Sequence, residues 1–266
     1  MDFTDEAIVL STRRHGEANL VLSALTRGHG RHLGLVKGGA SRRQRPHLEI
    51  GNRLKVVWHA RLEEQLGSFT IEPTGTASAQ LLDDPLRLAG LAAACAVADM
   101  VLPEREPHED VFAATAGLID AITGTGDWPA AYVRWELALL ASLGFGLDLS
   151  RCAATGETTD LAYVSPKSGR AVSRAGAGTY RDRLLPLPPF LISGGVPTRD
   201  DLLAGLRLTG FFLDRHVLHG PAADGRLPPA VLSSGFRRLH RLPHRFSPTP
   251  PARRGRISGI MGGVFG

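Results

Sequence analysis

The chain has 266 residues, with 31 Lys and Arg against 26 Asp and Glu, and only 2 Cys. A net charge of +5 suits a polyanionic partner, and two cysteines exclude a disulfide framework. The length exceeds that of a usual single domain and no apolar run reaches a membrane span, so a multi-domain cytoplasmic protein with no membrane contact is expected; the acidic start, MDFTDEAIVL, is unlike a signal peptide.

Residues 6–72 read as five short strands: EAIVLST (6–12), NLVLSALT (19–26), RHLGLVK (31–37), RLKVVWHA (53–60) and QLGSFTIE (65–72). Most gaps have hairpin length, and only GGASRRQRPHLEIGN is long. Five strands in so short a span suit a closed barrel, because closure removes exposed edges, and an OB-like barrel is predicted over residues 1–77. After Pro73 the apolar period changes from two to about 3.6. Helices are expected within residues 78–103, 108–123, 128–145 and 200–219, the first starting at Pro85 with Asp84 as its cap. The overall class is α+β and multi-domain: barrel, then a helical domain over 78–234. That domain is interrupted at about 148–198 by a turn-rich insertion with one short strand near residues 161–165. The end, 235–266, carries 7 Arg and no acid among many Pro and Gly residues and reads as a disordered tail.

The charge is unevenly placed. Residues 81–150 hold 3 basic against 11 acidic residues, whereas from Arg27 to Arg61 nine basic residues face only Glu49. Within that run lies LVKGGASRRQRPHLEIG, residues 35–51. It is not a nucleotide-hydrolase phosphate loop, because Lys37 precedes Gly38 and Gly39 instead of following the last glycine. The two glycines also have a plain role in allowing positive φ after a strand. A solvated loop would explain the cations as well, but their concentration on the barrel beside an acidic module points to nucleic acid.

Small barrels bind strands with a cationic groove and aromatic platforms, yet here only Phe3, Trp58 and Phe69 are available, so phosphates must carry most of the affinity. The histidines at 15, 29, 32, 47 and 59 make no metal-binding pair on one helical face, and no serine lies in G-x-S-x-G. Asp83, Asp84, Glu104, Glu106, Glu109 and Asp110 fall at helix starts, where they complement the macrodipole. No catalytic residues are assigned, and the chain is not expected to be an enzyme.

The order of these features resembles the RecO family of bacterial recombination mediators. The likeness is carried by EAIVLSTRRHGEANLVLSALTRGHGRHLGLVKGGASRRQRPHLEIGNRLKVVWHARLEEQLGSF (6–69) and RWELALLASLGFGLDLSRCAATGE (134–157). The resemblance implies an amino-terminal OB barrel, a helical middle and an inserted zinc-ribbon-like subdomain. It also implies binding of single- and double-stranded DNA, annealing of complementary strands, and, together with RecR, loading of RecA onto strands coated by single-strand-binding protein. Such a protein would be nucleoid-associated. Lys37, Arg42, Arg43 and Arg45, with Arg31 nearby, are then the candidates for gripping DNA backbone. Arg134 matches the basic residue that meets the carboxylate of the single-strand-binding protein's C-terminal tail; an ordinary helix-start salt bridge is its other reading.

Two features depart from the family. Where zinc-bearing members have C-x-x-C-G and a second cysteine pair, this chain has Cys152, Ala153, Ala154, Thr155 and Gly156, then SGRAVSRAGAG. One thiolate cannot close a tetrahedral site, so no zinc or other cofactor is expected. The basic tail is either an added DNA-binding arm or sequence outside the common fold. From composition alone, a general RNA-binding barrel is the competing function.

Overall fold

A computed structural model describes residues 1–62 and 64–218; the expected tail and the last part of the helical domain lie outside the described residues. The first five strands are β1 (Asp2–His15), β2 (Asn19–Thr26), β3 (Gly30–Val36), β4 (Arg53–His59) and β5 (Ser68–Gly75). They close a barrel in the order β1-β2-β3-β5-β4. Closure explains why β1 is twice as long as its apolar stretch predicts. Asp2 to Ile8 pair with β4, and Ala7 to His15 pair with β2, so one strand serves two neighbours in succession.

A register shift interrupts the β1–β2 ladder between Val9 and Ser11. Ala7 and Val9 point into the barrel with Leu22, Ala24, Leu54, Val56, Trp58 and Phe69. Ile8, Leu10 and Leu25 instead join the helical core. Alternation along β1 thus lets one strand supply two cores, and the register shift beyond Val9 changes the phase of the two faces that follow. β5 ends three residues later than predicted and passes through Pro73, which lies opposite Leu54 beside a register irregularity, where a missing N–H is tolerated.

Helices α1 (Pro85–Val101), α2 (Glu109–Thr123) and α3 (Trp128–Ser142) follow. Asp84 caps α1 by accepting from the N–H groups of Leu86 and Arg87, and Asp127 caps α3 by accepting from Ala130. Glu109 and Asp110 occupy the first turn of α2. The α1–α3 sequences, rich in Ala and Leu, pack around Leu91, Trp135 and Leu139, and the Trp135 indole N–H donates to the Thr115 hydroxyl at 2.9 Å.

The insertion is more ordered than its sequence pattern indicates. β6 (Leu161–Val164), β7 (Ala171–Ser173), the single turn α4 (Arg174–Ala177) and β8 (Leu185–Pro186) build a three-stranded sheet, order β7-β6-β8, of which only β6 was predicted. Strands of two and three residues carry too little periodicity to read. The chain then re-enters the helical core as α5 (Arg199–Leu213), started by a reciprocal Thr198 and Asp201 capping box. No helix among the described residues is long and apolar enough to cross a membrane.

Candidate nucleic-acid interface

The basic loop is fastened to the neighbouring hairpin. Beyond β3, Gly38 takes φ +68°, and its amide donates to the Asn19 side chain at 2.9 Å. The Ala40 amide donates to the Ala18 carbonyl at 3.0 Å, which ties the loop to the β1–β2 turn. The Ser41 carbonyl then accepts from Arg45 N at 3.0 Å and starts a 3-10 turn over Arg45–Leu48. Leu48 drops into the barrel interior as a plug. Asn52 closes the loop, its amide donating to the Pro46 carbonyl at 2.9 Å while its oxygen accepts from Ala77 N at 2.8 Å.

Fastened this way, Lys37, Arg42, Arg43 and Arg45 are all exposed. Arg14 joins them, although nothing in the linear sequence singled it out. It pairs with Leu20 across β1–β2, and Leu20 pairs with Val36 across β2–β3, so strand register carries it to the loop's end of the barrel. Arg14 and Arg45 line one pocket of about 210 Å³ together with Thr12, Leu20, Ala40, Leu48 and Glu49. The signal that could have found it is the Arg13–Arg14 pair directly before the Gly16 turn.

Ion pairing separates these cations from others in the same run. Arg27 meets Glu6, Arg53 meets Asp120 at 2.7 Å, and Arg31 meets two acids of the helical domain. Among the described residues, Arg14, Lys37, Arg42, Arg43 and Arg45 form no ion pair. Cations left outside any ion pair repel one another weakly in water and gain most from an external anion, which the exposed loop leaves room for.

Arg31 stands apart from the group it was expected to join. Its guanidinium, 14% exposed, donates to the Leu102 carbonyl at 2.7 Å and lies 3.6 Å from Asp99 and 3.5 Å from Glu104. Glu104, read from the sequence as a helix-start acid, serves this contact instead.

The aromatic residues are not at the loop's end. Trp58 and Phe69 are buried inside the barrel, the Trp58 indole N–H shared between the Leu33 and Leu66 carbonyls at 3.2 Å each. Phe3, near the start of β1, stacks on His29 with centroids 3.8 Å apart. The loop surface therefore offers charge without a stacking platform.

Arg134 is exposed on α3 and makes no ion pair among the described residues. The sequence neighbour that could have held it, Glu136, is buried and accepts from the Thr209 hydroxyl on α5. Arg134 packs instead over the Phe190 ring, 5.4 Å from its centroid, and its amino group lies 3.4 Å from the Phe190 carbonyl.

Comparison with known proteins agrees across nearly all of the described chain. Residues 1–76 match the family model "Recombination protein O N terminal", and residues 82–223 match "Recombination protein O C terminal". The chain is 56% identical over 219 residues to the DNA repair protein RecO of Rhodospirillum centenum, covering 82% of this chain and 87% of that one. It is 54% identical over 225 residues to the same protein of Methylobacterium nodulans, covering 82% and 91%. It is also 53% identical over 234 residues to that of Phenylobacterium zucineum, covering 87% and 95%.

Proposed function

The chain belongs to the recombination protein O (RecO) family, and we propose that within DNA repair it binds DNA backbone at the loop end of an OB-type barrel and anneals complementary strands. The observation that carries this reading is the set of five cations, Arg14, Lys37, Arg42, Arg43 and Arg45, exposed together around one barrel end with Glu49 as the one acid lining their pocket and no ion pair among the described residues.

Annealing follows from charge alone. Two phosphate chains repel until cations screen them, and releasing the counterions condensed on each strand favours the bound state. Lys and Arg contacts to phosphate fix a strand's position without reading its sequence, so specificity is left to base pairing. With Trp58 and Phe69 facing inward, little base stacking competes with that pairing. The role is one of holding and screening, with no bond made or broken by the protein.

The further steps of the mediator reading rest on family membership. The protein acts with RecR to deliver RecA onto strands coated by single-strand-binding protein, and Arg134 meets the carboxylate of that protein's acidic tail. The exposed Arg134 guanidinium, set over the Phe190 ring and free of carboxylates among the described residues, supports this assignment.

The test is annealing of complementary oligonucleotides coated with single-strand-binding protein, comparing the intact chain with Lys37→Ala, Arg42→Ala, Arg43→Ala. Acceleration by the intact chain and its loss in the folded variant are the expected results. Failure of the intact chain to accelerate annealing would overturn the reading, and tighter binding to RNA than to DNA of the same length would favour an RNA-binding barrel.

A further inference from the structure

The outer face of β1–β2–β3 changes character along its length. At one end Ile8, Leu10 and Leu25 are sealed under the helical domain. Next come Ser11 and Ser23, directly paired across the two strands, and beyond them Arg13, opposite Val21. A cleft of about 330 Å³ opens here, lined by Ser11, Arg13, Ser23, Arg31, Asp99 and Glu104 among others. It lies between the barrel and the carboxy-terminal end of α1.

Asp99 holds an unusual position in that cleft. Its carboxylate accepts from the Ser11 hydroxyl at 2.7 Å and from the Ser23 hydroxyl, and Arg31 stands 3.6 Å away. Two hydroxyls and a guanidinium form the kind of donor set that also holds a phosphate. Around the same cleft, two cations and two acids cancel, whereas the loop end keeps its positive charge. Arg13 is adjacent in β1 to Arg14 of the loop-end pocket, and at this cleft the acids of the helical domain offset the charge of Arg13 and Arg31.

We propose that Asp99, assisted by Glu104, sets the limit of the DNA footprint: its carboxylate occupies a phosphate position on the β1–β2–β3 face and keeps Arg31 from the strand. The inference rests on the nucleic-acid reading above. A strand held by the loop is turned away from the α1 junction instead of continuing along the barrel face. Asp99 is a positioning residue in this scheme, acting through Arg31 and the two serines.

The test is equilibrium binding of a labelled oligothymidylate over a series of salt concentrations. It compares the intact chain with Asp99→Asn, Glu104→Gln, and Asp99→Asn combined with Arg31→Ala. Asp99→Asn removes one of the two acids at Arg31 while the Nε contact to the Leu102 carbonyl remains, so the terminal amino groups gain one phosphate contact and the variant binds several-fold tighter at low salt. Its log affinity falls more steeply with log salt by about 0.7, the increment for one phosphate on a single strand. Combining Arg31→Ala with it removes the gain, which a merely structural effect of Asp99 would not do. Glu104→Gln leaves both serine contacts in place and shows the same direction to a smaller extent, so the inference stays testable if Asp99→Asn folds poorly. Unchanged slope in both single variants, or a gain that persists without Arg31, would overturn this inference alone, provided the loop variant still loses binding. An intact chain that does not bind the oligonucleotide overturns the nucleic-acid reading and this one together.

Discussion

The Thr209 hydroxyl on α5 donates to the Glu136 carboxyl group on α3, and both residues are fully buried, at 0% exposure. This contact ties the helix that follows the insertion to a helix that precedes it, 73 residues away in sequence. Thr209→Val keeps the shape and removes the donor, leaving an acceptor inside the core with one partner fewer. A loss of about 1.5–3 kcal/mol is expected, read as a lower urea midpoint with unchanged slope. A midpoint equal to that of the intact chain would show that the carboxyl group is satisfied without Thr209.

Two glycines in the barrel region have opposite environments. Gly30 takes φ +69°, and a Cβ there would lie 1.9 Å from the Glu106 carbonyl oxygen, in the segment joining α1 to α2. Gly38 takes φ +68° but has no heavy atom within 4 Å of such a Cβ. Gly38→Ala therefore meets only the left-handed backbone penalty, about 1–2 kcal/mol. Gly30→Ala must also push the helical domain off the barrel, so its thermal midpoint should fall well below that of Gly38→Ala. Equal midpoints would mean that the junction yields without cost.

The difference between what could and could not be read from sequence follows the range of the interaction involved. β2, Asn19–Thr26, matches NLVLSALT because its apolar run is local, and Asp84 was identifiable as a cap because capping depends on the next few residues. The first half of β1 escaped notice because DFTDEA has little alternation, and only barrel closure with β4 makes it a strand. Arg14 depends on strand register to reach the loop. Arg31 was counted correctly as a cation, but its fate was set by Leu102, Asp99 and Glu104, the first of them 71 residues away. Charge runs can be read along a chain, whereas their pairing belongs to the tertiary structure.

Arg14 and Arg45 face one pocket, while Lys37, Arg42 and Arg43 lie on the open loop. If all five meet phosphates, Lys37→Ala, Arg42→Ala, Arg43→Ala should reduce the salt slope of oligonucleotide binding by about 2, and Arg14→Ala, Arg45→Ala by about 1.4. Both variants should melt within about 0.5 kcal/mol of the intact chain, since exposed unpaired cations contribute little to folding. A folded Arg14, Arg45 variant with an unaltered slope would confine the interface to the loop.

Cys152 is expected to give the insertion a pH-dependent stability. Its side chain is 1% exposed and packs with Val172 and Ala177. The sulfur accepts from the Ser173 amide at 3.2 Å, the Ser173 hydroxyl at 3.4 Å and the Thr155 amide at 3.4 Å. Burial pushes the thiol up, but the hydrogen bonds from Ser173 and Thr155 outweigh it and hold it at about 6, below its ordinary 9.0. An acid whose folded value is depressed contributes stability that is complete above its unfolded value and is lost as pH falls through the folded one. The contribution from Cys152 should therefore grow as pH rises from about 6 to 9. Cys152→Ala removes the titrating group, while all other ionisations remain common to both proteins. The gap between their urea midpoints should widen across that window in favour of the intact chain. A gap that stays constant would mean that the sulfur is held as a neutral thiol and that the surrounding donors serve packing alone.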